Sequence, residues 1–382
     1  MSSNAVHGAR LEIDLDAIAA NYRAIAGLAR PAATAAVVKA DAYGLGLAPV
    51  ARRLKLAGCE IFFVAHYAEG VALRAVLPEA RIYILHGIPE DPATPNGYAV
   101  ASAGEAYFSH RLCPVINSLS ELAAWKRAAG AISGAILNFD TGMSRLGLGA
   151  QDAARLAGDR NLFSGVKIDY LMSHLACADV AAHPLNQQQL AAFNKLRRLF
   201  PSIPASLANT AGVQLGAPYH FDLVRPGIGL YGGNPAGTGE SPFRGVIRLY
   251  AKILQVRDVD SRDSVGYGAS YRPSGPARIA VAGIGYADGF MRSLGNFGVG
   301  AIGGHLAPMV GRVSMDLCAF DVSAAPRELC AAGAEIELIG PQVTLERTAA
   351  VAGTINYELL TRLGGRLARC YVGDGGDGNA AQ

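Results

Sequence analysis

Charge is scarce in this chain. Asp, Glu, Lys and Arg make up 17% of its 382 residues and leave a formal net charge of only +3, below the charged share usual for soluble domains. The basic residues are spread out, and the densest group, Arg362, Arg366 and Arg369, is short and has no aromatic residues interleaved. That pattern argues against nucleic acid as a partner. Cysteine is sparse too. Cys59, Cys113, Cys177, Cys318, Cys330 and Cys370 are dispersed, with no pair at the two-residue spacing of zinc or redox motifs, so no metal is expected and the thiols read as reduced, in a cytoplasm. No stretch reaches the roughly 18 apolar residues of a membrane span, and Met1–Arg10 lacks the apolar core of a secretory signal. No membrane association is expected. Internal repeats and low-complexity blocks are also missing.

What is present is apolar and rich in glycine: hydrophobic residues reach 51%, and there are 46 glycines. A chain of this length exceeds the usual single-core limit, which predicts one large domain and a smaller one. From residue 11 to about 240, short apolar runs alternate with helix-length segments. Leu11–Leu15, Ala35–Val38, Ile61–Ala65, Arg81–Leu85, Ala135–Phe139, Ile168–Met172, Ala205–Leu207 and Asp222–Val224 read as strands. Helical patterns include one ending at Ala29 that Asp16 could cap, Glu121–Ala129 and Pro184–Phe200. Roughly eight alternations favour a (β/α)8 TIM-type barrel over an open sheet. The grammar changes near Ser241-Pro242. Beyond it, Val246–Val259, Ala277–Ile284, Val299–Ile302, Ala307–Val313 and Glu335–Ile339 are strand-like and separated by glycine-rich turns. The expected organisation is an α/β barrel over 1–241 followed by a mainly β domain over 242–382. The last ten residues, rich in Gly, Asp and Asn, read as a frayed tail.

The run from Ala35 to Gly46 ends an apolar strand on Lys39 and opens into a glycine-rich loop holding Tyr43. A lysine partly withdrawn from water loses some preference for its charged form, which frees the amine to attack a carbonyl. A tyrosine hydroxyl beside closely approachable backbone suits a phosphate. In a barrel, working groups project from the C-terminal ends of strands. Those positions are unusually polar here: Lys39; Asn138 and Asp140, with Arg145 shortly after; His174; Asn209 and Thr210; and Arg225. Each has an ordinary structural reading, such as a buried histidine or an Asp140–Arg145 ion pair. Their placement on one end of the same barrel favours a site.

Nine stretches carry a resemblance: VKADAYGLG at Val38–Gly46, DTGMSRLG at Asp140–Gly147, SHLA at Ser173–Ala176, ANTA at Ala208–Ala211, VRPGIGLYG at Val224–Gly232, VGYGASY at Val265–Tyr271, IGYADG at Ile284–Gly289, GRVSMD at Gly311–Asp316 and INYE at Ile355–Glu358. In this order they resemble the alanine racemase family, over about residues 10–372. The resemblance implies a pyridoxal 5'-phosphate (PLP) enzyme that interconverts L- and D-alanine. Lys39 would carry the cofactor covalently, and Tyr43, Thr210, Gly227, Ile228 and Tyr357 would hold its phosphate. His174 and Asn209 would complete its surroundings, with Arg225 at the pyridine nitrogen. A cation there disfavours ring protonation and weakens the electron sink. The family's two bases match Lys39 and Tyr267. Arg145 and the backbone amide of Met315 would bind the substrate carboxylate, with Asn138, Tyr286, Arg292 and Asp316 behind them or at the entrance.

Because Tyr267 and Met315 lie far along the chain from Lys39, the family's head-to-tail homodimer is expected to deliver them from a second copy. Where many members have a carbamylated lysine, this chain has the neutral Asn138. A small anion such as chloride between Asn138 and Arg145 is therefore expected. Thr210 stands for the more usual serine, and Asp41 and Leu45 for the commoner Asn and His. Three other readings compete: a PLP-dependent amino-acid decarboxylase of the same plan, a catalytically silent PLP carrier, and a serine or broad-specificity racemase. Arg225 and Tyr267 count against the first, and the motifs of the second domain against the second.

Overall fold

The computed structural model describes residues 8–88, 100–129, 134–237 and 239–373. The tail expected over the last ten residues lies outside these, apart from Gly373. Two compact units are distinguished: Tyr22–Ala42 with Gly46–Leu230, and Met1–Asn21 with Tyr43–Leu45 and Tyr231–Gln382.

The first unit is a parallel barrel. Its seven-stranded sheet runs in chain order through Ala36–Val37, Ile61–Val64, Arg81–Ile84, Leu112–Ile116, Gly134–Asn138, Lys167–Met172 and Ala205–Ser206. The eighth strand, Leu223–Val224, pairs with Ala33–Thr34, which leads directly into Ala36–Val37. Backbone N–H donors from Asp222 to the Ala205 carbonyl at 3.0 Å and from Arg225 to that of Ala208 at 2.9 Å close the ring. Strands buried on both faces need continuous apolar sequence rather than alternation, and Leu112–Ile116 and Gly134–Asn138 are buried throughout. Inside the ring, Ala35, Phe63, Tyr83, Cys113, Val115, Ile136, Met172 and Leu223 pack as one cluster, so the barrel is filled by side chains rather than hollow.

Helices follow most strands. Pro184–Leu199 starts with Pro184 at its first position and His183 as its cap, whose Nδ1 accepts from Leu185 N at 3.2 Å. Glu69 lies in the first turn of Tyr67–Val76, where a carboxylate suits the helix dipole.

The second unit is built on an eight-stranded sheet. Its long central strand Ile247–Val259 pairs antiparallel with Ala9–Asp14, Ala277–Ala282 and Glu335–Ile339. The N-terminal strand Ala9–Asp14 alternates buried and half-buried residues, as a strand with one covered face should, and also pairs parallel with Ala368–Val372. The expected helix behind it, Leu15–Ala29, is capped by Asp14 rather than Asp16: Asp14 Oδ1 accepts from Ala17 N at 2.8 Å. No helix among the described residues is long and apolar enough to cross a membrane.

Candidate active site

Lys39 closes the first barrel strand and is half-buried. Burial lowers the pKa of its amine, Arg145 lowers it further, and Glu69 opposes both. The sequence then enters a backbone region that side chains avoid. Ala40, Asp41, Ala42 and Tyr43 have φ of 53°, 54°, 53° and 57°, a left-handed turn in which each Cβ crowds the following carbonyl.

On the neighbouring strand of the closed ring, Arg225 follows Leu223–Val224 and is buried. Its Nη1 donates to Ser206 Oγ at 2.5 Å, and its Nη2 to the carbonyl of Ser173 at 2.7 Å. Nη2 also lies 3.4 Å from His174 Nδ1. Burial pushes the guanidinium down to about 9, so it remains a cation at neutral pH. His174 is pushed down to about 3 by burial, then by the positive charges of Arg225, Arg145 and Lys39, and is a neutral imidazole in the folded chain. Gln189 fixes the backbone around it: Nε2 donates to the His174 carbonyl at 2.8 Å, and Oε1 accepts from Ala176 N at 2.8 Å.

Thr210 is buried beside the loop after Arg225. Its Oγ1 accepts from Gly227 N at 3.0 Å and Gly229 N at 3.3 Å, while Ile228 is 1% exposed. Asn209 is the cap of the short helix Thr210–Gln214, its Oδ1 accepting from Gly212 N at 2.8 Å. The Thr210 hydroxyl accepts these two N–H groups and keeps its own O–H to donate, with no carboxylate among these contacts, a setting that suits an oxyanion.

Arg145 is exposed. It is not held by Asp140, whose carboxylate instead accepts the backbone N–H groups of Gly142, Met143 and Ser144 at 2.9–3.1 Å. Burial pushes the Asp140 carboxyl up, and those N–H groups outweigh it and hold it below its usual range. Asn138 Nδ2 donates to Asn117 Oδ1 at 2.8 Å and to the Leu146 carbonyl at 3.4 Å.

The remaining expected residues lie in the second unit. Tyr43 is buried and stacks on Tyr231 with ring centroids 4.5 Å apart, and Tyr357 lies 6.2 Å from it. Burial raises the Tyr43 hydroxyl's pKa, with Tyr357 adding to the effect. Tyr267 opens a short turn between Gly266, φ 74°, and Gly268, φ 69°, and is 72% exposed. Met315 is 54% exposed, and its carbonyl accepts from Ala287 N at 3.0 Å. Asp316 pairs with Arg366 at 2.8 Å, and Arg366 also reaches Asp288 at 3.1 Å. Tyr286 and Arg292 share a cavity of about 450 Å³ with Arg362.

Reading the sequence alone misses the supporting polar residues. Ser206, Gln189, Asn117 and Glu69 touch the chemistry-bearing residues only through the fold, as does Arg312, whose guanidinium lies against Gly268. The one local signal is Glu69 three residues after the cap His66, a capping-box spacing.

Residues 13–235 match the family model for the alanine racemase N-terminal domain, and residues 246–371 match that for the C-terminal domain. The chain belongs to the alanine racemase family. An alanine racemase of Rhodospirillum rubrum is 46% identical over 370 residues, covering 96% of each chain. A catabolic alanine racemase of Mesorhizobium japonicum is 45% identical over 375 residues, 97% of this chain and 95% of that one. The crystal structure of alanine racemase from Bartonella henselae with covalently bound pyridoxal phosphate superposes with a TM-score of 0.88 at 38% identity, covering 96% of this chain and 99% of that one. The family and the barrel-plus-β plan are those that the nine stretches imply.

Proposed function

We propose that this chain is a PLP-dependent alanine racemase that moves the Cα proton of alanine with two bases, Lys39 and Tyr267. The observation that carries the reading is Arg225: a buried guanidinium whose hydrogen-bond acceptors, Ser206 Oγ and the Ser173 carbonyl, are neutral. A carboxylate in that place would stabilise a protonated pyridine ring, whereas a cation opposes it. The residues present fit the cofactor. Lys39 has an amine whose pKa burial lowers, Thr210 and the loop of Gly227 and Ile228 would cradle the phosphate, and Tyr43 and Tyr357 offer hydroxyls.

Bound PLP supplies electron withdrawal that acidifies the Cα–H of alanine. The rest falls to the protein. Lys39 takes or returns the proton at one face. Tyr267 serves the other, with the Arg225–His174 pair as its neighbouring network. Arg145 and the Met315 amide bind the carboxylate, and Asn138 supports Arg145, with a chloride-sized anion between them. The Asn138 amide already donates to Asn117 and Leu146, so the anion would take the place of the longer contact. Tyr286, Arg292 and Asp316 line the approach.

A second copy of the chain supplies Tyr267 and Met315. In the single chain these are 72% and 54% exposed, and Phe297 is 74% exposed, an unusual degree for apolar side chains that a partner's surface would cover. The described cysteines are all free, which suits a cytoplasmic enzyme. In this reading the barrel over 1–241 supplies most of the cofactor's contacts, and 242–382 adds Tyr357 and gives Tyr267 and Met315 to the partner.

The test is incubation of the purified, PLP-loaded protein with L-alanine in D2O, followed by chiral separation and mass analysis. α-Deuterated D-alanine is the expected product. Its absence, with L-alanine unlabelled, would overturn the reading; parallel incubation with L-serine measures the substrate range.

A further inference from the structure

The left-handed turn that follows Lys39 is costly. Each of its non-glycine residues carries roughly 1–2 kcal/mol of steric penalty, so the conformation persists only where its surroundings hold it. Three of the holding contacts are local: Ala42 N to the Val38 carbonyl at 2.9 Å, Gly46 N to the Asp41 carbonyl at 2.9 Å, and Leu47 N to Asp41 Oδ1 at 2.6 Å. The fourth is not. Ala40 N, the first amide after Lys39, donates to Glu69 Oε1 at 2.6 Å. The other oxygen of the same carboxylate accepts from Ala65 N at 2.8 Å and His66 N at 3.0 Å. One side chain therefore staples the turn after the first barrel strand to the turn after the second.

Glu69 also acts on charge. It is the anionic group that opposes burial and Arg145 at the Lys39 amine. Around it stand Lys39, His86 and His66, the two imidazoles stacked edge to face with centroids 4.4 Å apart. Burial lowers the pKa of His86, as do His66 and Lys39, while Glu69 raises it.

We infer that Glu69 is a positioning residue for Lys39: it holds the strained turn that aims the amine and offsets part of the positive field there. The inference rests on the racemase reading for its consequence in catalysis, but its physical content does not. In Glu69→Gln, one oxygen becomes an N–H₂ donor facing a backbone N–H, and the charge is lost. Hydrogen bonds to charged acceptors are worth about 1.5–3 kcal/mol, so hydrogen exchange of the Ala40 amide should quicken about 10- to 100-fold. In PLP-free enzyme, the pH dependence of Lys39 acylation by acetic anhydride, read on its own peptide by mass spectrometry, should shift to lower pH. In loaded enzyme, kcat should fall about tenfold or more while KM for alanine changes little.

Adding Ala40→Gly, which tolerates positive φ without strain, should recover part of the amide protection and of kcat. Unchanged exchange together with an unchanged amine pKa in a folded Glu69→Gln protein would overturn the inference. Should that variant not fold, exchange in the wild-type protein decides: an Ala40 amide as fast as in an unstructured peptide would also overturn it. Both physical readouts work on the wild-type chain even if it racemises nothing, so failure of the racemase reading would be seen separately in the D2O experiment.

Discussion

Arg225 Nη2 lies 3.4 Å from Nδ1 of His174, so a buried cation adds to burial in holding the imidazole neutral, with Nδ1 as the acceptor. This has a consequence for stability. The folded-state pKa of about 3 lies below the ordinary histidine value near 6.5. Between those values the unfolded chain binds a proton that the folded chain refuses, so the contribution is complete above about pH 6.5 and is lost as the pH falls toward 3. The ring retains some solvent access, which trims the ideal slope to about 1 kcal/mol per pH unit. Urea midpoints at pH 7 and pH 5 should show this decline in the wild type and a shallower one in His174→Leu. Equal slopes in the two proteins would count against it.

Tyr267 stands out in a turn between two positive-φ glycines, with no packing role in its own chain that its 72% exposure would permit. Tyr267→Phe should therefore leave folding and cofactor loading intact. Removing a positioned acid–base group typically costs about 10²- to 10⁴-fold, and L-to-D conversion should slow by that order. A rate equal to wild type would refute the two-base assignment.

The barrel was legible from alternation, but for partly compensating reasons. Leu11–Leu15 has the pattern of a barrel strand, yet the structure pairs Ala9–Asp14 with Ile247–Val259 and Ala368–Val372, partners more than 200 residues away that no local pattern shows. Leu112–Ile116 does not read as a strand in the sequence because Pro114 interrupts it. In the β unit, Cys318–Asp321 and Ala368–Val372 are short and lack clean alternation, so only their pairing reveals them. The site divides the same way. Lys39, His174 and Arg225 are visible because each is a polar residue ending an apolar run. Glu69, Gln189 and Ser206 are ordinary polar residues on helices or in strands, and their roles exist only through contacts the fold creates.

Gly285 is required by a close approach rather than by its torsion. A Cβ there would lie 2.2 Å from the Met315 carbonyl oxygen and 2.4 Å from that of Ser314, and backbone cannot yield as a flexible side chain can. Gly285→Ala should displace the Ser314–Met315 segment, raise KM for alanine through the Met315 amide, and destabilise the protein by about 2–4 kcal/mol. Steady-state kinetics beside a urea melt measure both. A variant with unchanged KM would separate that segment from carboxylate binding.

Asp169 offers a contrast, because its network lies where the barrel strands begin, away from the ends that carry Lys39 and Arg225. Its carboxylate is 10% exposed, pairs with Arg81 and accepts from Tyr83 Oη at 2.8 Å. Asp169→Asn leaves the Arg81 cation without its anionic partner, and a half-buried pair broken on one side should cost about 1–3 kcal/mol. Conservation of volume keeps the strand packing intact, so kcat and KM at 25 °C should stay within about twofold of wild type. Thermal melts at matched PLP concentration, needed because a ligand of the folded state raises apparent stability, should show the loss. A large fall in kcat without one would mean that the barrel's base is coupled to its mouth.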